Sequence, residues 1–330
     1  MIKYVCKKCN INMETSVCPV CGERSDLLSS TVYWCEGCNI PLYEETCPIC
    51  GKKAHRIASD LRPVFPEERL LLELMIGEPF KYKNASVWNA TGNYYYADGK
   101  KIKFSVKQTK DLNADSIRKQ LQELAAENTY DVFEGTIRKF VMANQNRYDY
   151  ITKEAMEYIR TMAANIDPTE MFVSFSGGKD STVVSELVMR ALGSQQILHL
   201  YGDTTLEFPE SAEYVKRFKK EHPKTLVITS KNKDKNFDEL CEQLGPPSRV
   251  MRWCCTIFKT GAIQRKIQTL FKNKKRILTF YGIRRSESNS RSKYDRESDS
   301  PKIAVQRTVS PIIDWMDFDV WLYLLTTGID

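Results

Sequence analysis

Residues 171–182 read Met-Phe-Val-Ser-Phe-Ser-Gly-Gly-Lys-Asp-Ser-Thr, the stretch of this chain with the most chemistry in it. An apolar run ends in Ser176, Gly177, Gly178, Lys179, Asp180 and Ser181, and apolar residues then recur at helical spacing (Val183, Val184, Leu187, Val188, Leu192). That order predicts a strand, a tight glycine turn and a helix. Paired glycines let a backbone approach an anion closely and take conformations that other residues avoid. Amides of the turn and of the helix N-terminus then point at the anion. Ser176 and Ser181 supply further hydroxyl donors. The predicted chemistry is the binding of a phosphate chain. The loop is not a Walker loop, because the G-x4-G-K-S/T spacing is absent.

The cysteines form a second constellation. Eight of the eleven lie in the first 50 residues, at Cys6, Cys9, Cys18, Cys21, Cys35, Cys38, Cys47 and Cys50. They form a duplication: Cys6-x2-Cys9-x8-Cys18-x2-Cys21 recurs as Cys35-x2-Cys38-x8-Cys47-x2-Cys50, and Cys18-Pro-Val-Cys-Gly matches Cys47-Pro-Ile-Cys-Gly. Paired CxxC spacing points to metal rather than disulfides. Each unit supplies four thiolates, a tetrahedral zinc set with iron as the chemical alternative. So short a segment cannot bury a useful core alone, so the metal must contribute to folding. The short loop between knuckles leaves ligation interleaved between the two units open. With every ligand position filled by protein, the two metals are expected to be structural. Such ribbons contact nucleic acid or a partner protein, for which Lys7, Lys8, Lys52, Lys53 and Arg56 supply a few cations. A structural or dimerising cap is the equal alternative.

Three further groups follow the glycine loop. Asp203 closes an apolar run and is placed to hold a ribose or magnesium, the ordinary alternative being a turn aspartate. Arg252-Trp253-Cys254-Cys255 precedes Lys259. Adjacent cysteines make a poor zinc set, and Arg252 and Lys259 place cations beside them that would lower a thiol pKa and attract sulfate or phosphate. A buried cysteine pair at a helix start is the alternative. Arg284 and Arg285 leave the end of another apolar run, with Arg291 beyond, and arginine forks match phosphate and sulfate oxygens. The polar segment around Arg291 reads as a mobile loop. No catalytic nucleophile is assigned.

These residues need a scaffold, and the chain of 330 residues with 42% hydrophobic content is long enough for two or three domains. The net charge of +7 suits anionic ligands without selecting one. No apolar run nears the ~20 residues of a membrane span, and the N-terminus lacks a signal-peptide core. A cytoplasmic location without a membrane partner is therefore expected. Residues 1–56 read as tandem zinc ribbons and 57–165 as a middle α+β region whose role the sequence does not show. Within it, 57–65 reads as a linker, 67–75 as a helix, 94–104 as a β-hairpin around Asp98-Gly99, and 113–127 and 133–164 as helices. From 166 to 330, strands (171–176, 196–202, 225–229, 277–283) alternate with helices (181–192, 209–221, 256–271). That alternation predicts an α/β domain with a parallel sheet, and ligands bind at the carboxyl ends of such strands.

The glycine loop looks like the pyrophosphate loop of the ATP pyrophosphatase (PP-loop) superfamily. Taken with Asp-Thr-Thr-x2-Phe-Pro-Glu, Arg-Trp-Cys-Cys-x3-Lys, Gly-Ile-Arg-Arg-x-Glu-Ser and Pro-Ile-x-Asp-Trp-x3-Asp-Val-Trp, it resembles the phosphoadenosine phosphosulfate reductase family over about half the chain. The resemblance implies an adenine nucleotide α-hydrolase-like fold. It implies an oxidoreductase that reduces adenylylsulfate or phosphoadenylylsulfate to sulfite with a thioredoxin-like reductant. It also implies that Cys254 and Cys255 match the first pair of ligands to a 4Fe-4S cluster. The second pair and the nucleophilic cysteine have no match before Asp330. Truncation is expected, because Trp321-Leu-Tyr-Leu-Leu reads as a helix without a cap. ATP-dependent adenylation of tRNA or DNA for sulfur insertion is a second reading, and a non-catalytic nucleotide-binding scaffold a third.

Overall fold

The computed structural model describes residues 4–6, 8–9, 11–13, 17–23, 26–27, 31–232, 234–299 and 305–329; Lys7 lies outside the described residues. The chain forms two compact units, Met1–Ile151 with Met316–Asp330, and Thr152–Trp315. The expected run 166–330 thus loses its last helix to the first unit. No described helix is long and apolar enough to cross a membrane.

The first unit opens with two small antiparallel sheets. One holds β1 (Tyr4–Cys6), β2 (Ile11–Met13) and β3 (Asp26–Leu27), the other β4 (Val32–Cys35), β5 (Ile40–Leu42) and β6 (His55–Ala58). A third sheet joins β7 (Leu61–Pro63), β8 (Val87–Ala90), β9 (Tyr94–Ala97) and β10 (Lys100–Lys101), with α1 (Pro66–Ile76) inserted after β7. The expected linker 57–65 is therefore mostly strand. Leu61 enters the core, and Asp60 accepts the N–H bonds of Asp317 and Phe318 at the start of the last helix. The hairpin forms at Asp98-Gly99, both with positive φ (49° and 75°), the demand of a tight two-residue turn. A Cβ on Gly99 would meet the Trp34 ring at 2.5 Å, so glycine is also needed for packing.

Helices α2 (Ala114–Leu124) and α3 (Asp131–Ala143) follow, and α4 (Gln145–Ala163) begins in this unit and continues into the second. The single helix expected over 133–164 breaks at Asn144. Its side chain accepts from Tyr43 N (2.9 Å) and donates to Pro41 O (3.1 Å), acting as a partner for the end of β5. Trp34, Trp88, Phe140 and Phe318 fill the core of this unit.

The second unit holds β11 (Met171–Phe175), α5 (Lys179–Leu192), β12 (Leu198–Asp203), α6 (Pro209–Glu221), β13 (Val227–Lys231), α7 (Phe237–Leu244), α8 (Ala262–Leu270), β14 (Ile277–Tyr281), β15 (Glu297–Asp299) and β16 (Gln306–Val309). The sheet order is β13-β12-β11-β14-β16-β15, all parallel except β15 at the edge. The expected α/β class and its strands are present. β11 is buried on both faces, as an inner parallel strand must be. The chain builds outward from β11 through β12 to β13, then returns to the other side of β11 as β14. The reversal leaves a crevice beyond the carboxyl ends of β11 and β14, where ligands bind in open α/β sheets. The last helix, α9 (Asp317–Thr327), belongs to the first unit and ends at Gly328 with φ 68°. That is a left-handed glycine stop, so the expected uncapped end is not observed.

His199 on β12 is fully buried. Its Nδ1 lies 2.8 Å from the carbonyl of Ile197, so this nitrogen carries the proton and Nε2 accepts from Ser185 Oγ at 2.7 Å. Burial lowers its pKa to about 4. The unfolded chain takes up this proton first as pH falls through 6.5, so stability is complete above that value. It is lost between pH 6.5 and about 4, by at most about 3 kcal/mol. Urea unfolding from pH 7 to pH 4.5 should show a steeper loss for the natural chain than for His199→Gln. Parallel curves would refute the assignment.

Candidate phosphate site and four-cysteine centres

The glycine loop joins β11 to α5 as its sequence requires. Gly177 has φ +75°, and a Cβ there would lie 2.7 Å from Val215 on α6, so conformation and packing both demand glycine. Ser181 is buried. Its Oγ donates to Gly178 O (2.9 Å) and accepts from Ser176 N (3.1 Å), so this hydroxyl shapes the loop, and Ser176 is the exposed one. Gly178 stands at the N-cap of α5 and no side chain caps the helix. The first helical N–H groups have no intrahelical partner. At the mouth of the loop they supply donors and the positive end of a helix dipole.

The opposite wall of the crevice follows β14. Gly282 packs on the first turn of α5: a Cβ would lie 2.7 Å from Asp180 C and 2.8 Å from Ser181 N, both backbone atoms. Sequence reading did not single out Gly282. Its signals were its place near the end of the expected strand 277–283 and at the head of Gly-Ile-Arg-Arg-x-Glu-Ser. Arg284, 3% exposed, donates from Nε to Asp180 Oδ1 at 2.7 Å, and Lys179 Nζ reaches Asp180 Oδ2 at 3.0 Å. Asp180 therefore sits between two cations and holds Arg284 at the loop. Backbone N–H of Arg284 donates to Glu287, which also pairs with Arg291.

The expected arginine pair divides. Arg284 faces the loop, whereas Arg285 is turned inward, donating to Tyr294 O (2.8 Å) and pairing with Asp314. Its role here is to brace the segment after β14, a correction to its expected place on a phosphate. Asp203 ends β12, accepts from Thr205 N (2.9 Å) and meets Lys231 Nζ at 3.5 Å. It thus serves the turn as well as lying at the ligand edge. Glu207, not foreseen, fixes that turn by accepting from Thr204 N and Oγ1.

Cys254 and Cys255 lead into a π-helical turn, Cys255–Gly261, that runs directly into α8. Arg252 donates to Cys255 Sγ at 3.5 Å, Lys259 is exposed, and Trp253 is buried against Phe258 and Phe237. Among the described residues, only the two N-terminal sets bring together three or more metal-binding side chains. Among the described residues, Cys254 and Cys255 have no further metal-binding side chains at ligand distance beside them.

The N-terminal sets do fit a metal. Cys6, Cys9, Cys18 and Cys21 form one group and Cys35, Cys38, Cys47 and Cys50 the other, each with all sulfurs within 4.8 Å. Ligation is therefore within each unit and not interleaved. Sulfur separations of 3.6 Å (Cys6–Cys21), 3.4 Å (Cys35–Cys50) and 3.7 Å (Cys38–Cys47) are far beyond a disulfide. They approach the ~3.8 Å edge of a tetrahedron with ~2.3 Å metal–sulfur bonds. The N–H groups of Cys9 and Cys38 each lie 3.4 Å from the first sulfur of their knuckle. Burial and the neighbouring Cys50 and Cys47 thiols push Cys38 up to about 12, while the N–H of Lys52 draws Cys50 down to about 7. Four thiolates cannot coexist so closely without a cation, which a divalent metal supplies.

A phosphate loop at the switch point of a doubly wound parallel sheet defines a PP-loop nucleotide-binding domain. Residues 170–330, just under half of the chain, match the family model of the phosphoadenosine phosphosulfate reductase domain. An uncharacterized protein of Methanocaldococcus jannaschii is 32% identical over 213 residues, covering 64% of this chain and 48% of that protein. The chain thus spans about half the length of that relative. A sulfate adenylyltransferase subunit 2 of a Rhizobium species is 25% identical over 212 residues, covering 57% of this chain and 66% of that one. Among solved structures, a phosphoadenylyl-sulfate reductase of Candida auris in a phosphate complex aligns at TM-score 0.42 and 14% identity, over 57% of this chain and 88% of that one.

Proposed function

We propose that the Thr152–Trp315 unit binds an adenine nucleotide with its phosphate chain on Ser176–Ser181, and that its substrate is adenylylsulfate or phosphoadenylylsulfate, reduced to sulfite. The observation carrying the nucleotide reading is the Asp180–Arg284 contact, which keeps a buried guanidinium at the mouth of an uncapped helix. Lys179 and the α5 amides complete an anion cradle. Asp203 is proposed to hold the ribose, or magnesium where ATP is the ligand, and Arg252, Lys259 and Arg291 to add cations. The family relation and the Arg252–Cys255 contact favour the sulfonucleotide. Reduction needs two electrons: a dithiol becomes a disulfide as sulfite leaves with AMP, from adenylylsulfate, or with adenosine 3′,5′-bisphosphate, from phosphoadenylylsulfate. A thioredoxin-like protein is the proposed source of that dithiol. The four-cysteine sets are proposed to hold two structural zinc ions.

ATP-dependent adenylation of a nucleic acid is the second reading; the likeness to a sulfate adenylyltransferase subunit supports ATP as its nucleotide. The two separate by product. With sulfur-labelled adenylylsulfate, phosphoadenylylsulfate and excess dithiol, the first reading expects labelled sulfite, lost at least tenfold in Arg284→Ala. Pyrophosphate release from ATP, without sulfite from either sulfonucleotide, would overturn it in favour of the second.

A further inference from the structure

The first unit carries a basic cleft that the nucleotide chemistry does not use. It has a volume of about 660 Å³ and runs between the turn after α1 and the strand β10, with Phe80, Tyr82, Asn84, Lys100, Lys101 and Lys103 on its walls. From Glu78 to Lys103 the chain has five lysines (81, 83, 100, 101, 103) and two carboxylates. Both carboxylates are engaged: Glu78 pairs with Lys81 (2.7 Å), and Asp98 accepts from Ser86 N (2.8 Å). Of the lysines that line it, Lys100, Lys101 and Lys103 have no acidic partner among the described residues, so the cleft carries a net positive charge.

One wall is rigidly built. Phe80 has φ +62°, a conformation a bulky aromatic residue adopts only under constraint. The constraint is Glu73, fully buried, whose carboxylate accepts from Phe80 N (2.9 Å) and Tyr82 N (2.7 Å) and faces the buried Arg69 (3.6 Å). That clamp presents two aromatic rings together with lysines. Lys83 Nζ lies over the Phe80 ring at 5.1 Å, Lys81 over Tyr82 at 5.6 Å, and Lys101 over the exposed Tyr94 at 3.4 Å.

We infer that this cleft binds a single-stranded nucleic acid, its phosphates on Lys100, Lys101 and Lys103 and its bases stacked on the Phe80 and Tyr82 rings. Charge alone would suit any polyanion. Aromatic faces interleaved with lysines add what an unpaired base requires and an acidic peptide does not. A duplex hides its base faces, and a membrane surface is too flat to enter a concave site. The inference bears on the nucleic-acid reading above without depending on it, because the test reads binding alone.

Fluorescence anisotropy of the full chain with labelled 12-mers of oligo(U) and oligo(dT) tests it. The natural chain should bind either strand saturably at 50 mM salt, and an abasic 12-mer of equal charge about fivefold or more weaker. K100Q/K101Q/K103Q, with an unchanged thermal midpoint, should lose about tenfold or more at that salt. Its slope of log affinity against log salt should be shallower by about 2. Lys216→Gln with Lys220→Gln, both exposed on α6, should change nothing. Absence of saturable binding, unchanged affinity in the triple variant, or equal binding of polyglutamate or the abasic strand would overturn the inference.

Discussion

Gly282→Val is expected to lower adenine-nucleotide affinity at least about a hundredfold while leaving the chain folded. Even the first added carbon would lie 2.7 Å from Asp180 C and 2.8 Å from Ser181 N. Backbone atoms inside the first turn of a helix cannot swing aside as a side-chain tip can. The helix start must move, and overpacking of this kind costs about 1–3 kcal/mol of stability. The displaced turn takes Asp180 away from Arg284 and spoils the aim of the α5 amides. Gly178 gives the contrast. A Cβ there would meet only Ser176 Oγ, at 3.5 Å, an ordinary contact. Gly178→Val should therefore fold with an unchanged loop but lose nucleotide, because the obstacle is to the ligand itself. Calorimetric titration of both variants, with thermal midpoints as the control, reads the difference. Unchanged affinity in Gly282→Val would remove the crevice between β11 and β14 from the account.

The largest effect on stability is expected from the second four-cysteine set. Cys35, Cys38 and Cys47 are buried with Ile40, Leu42 and Ala54, so the ligands are themselves part of a core. Structural zinc contributes on the order of 10–16 kcal/mol to folding of small metal-dependent modules. Cys47→Ala should therefore lose one metal equivalent of two and expose the amides of β4, β5 and β6 to rapid hydrogen exchange. Ligand thiols must ionise to bind. With Cys38 held up near 12 in the metal-free site, zinc uptake at pH 7 should release protons, and affinity should fall as pH falls. Titration in buffers of different ionisation enthalpy measures that release. A full complement of metal in Cys47→Ala, or uptake with no proton release, would show that these sulfurs are not the ligands.

Local chemistry was legible in the sequence where one segment carries it all. The Gly-Gly turn follows an apolar strand and opens a helix, and the paired knuckles repeat their own spacing, so both appear where expected. Contributions from distant segments were not legible. Arg284 and Arg285 are equivalent as sequence, and only the positions of Asp180 and Asp314 send one to the loop and the other inward. Gly282 acquires its role from α5, about a hundred residues earlier in the chain. The segment 57–65 read as a linker because its strands are short, and β7 finds its partner in β8 beyond an inserted helix. Asn144 ends α3 because its amide satisfies the end of β5, a demand that helical periodicity does not register.

Hydrogen exchange of the amides of the full chain, with and without saturating adenylylsulfate or ATP, tests the nucleotide site most directly. The account predicts slowed exchange concentrated in 176–182 and 282–287, where the loop, the first turn of α5 and the Arg284 segment meet. It predicts that this protection disappears in Arg284→Ala. Nucleotide binding that protects other segments and leaves both of these unchanged would contradict it.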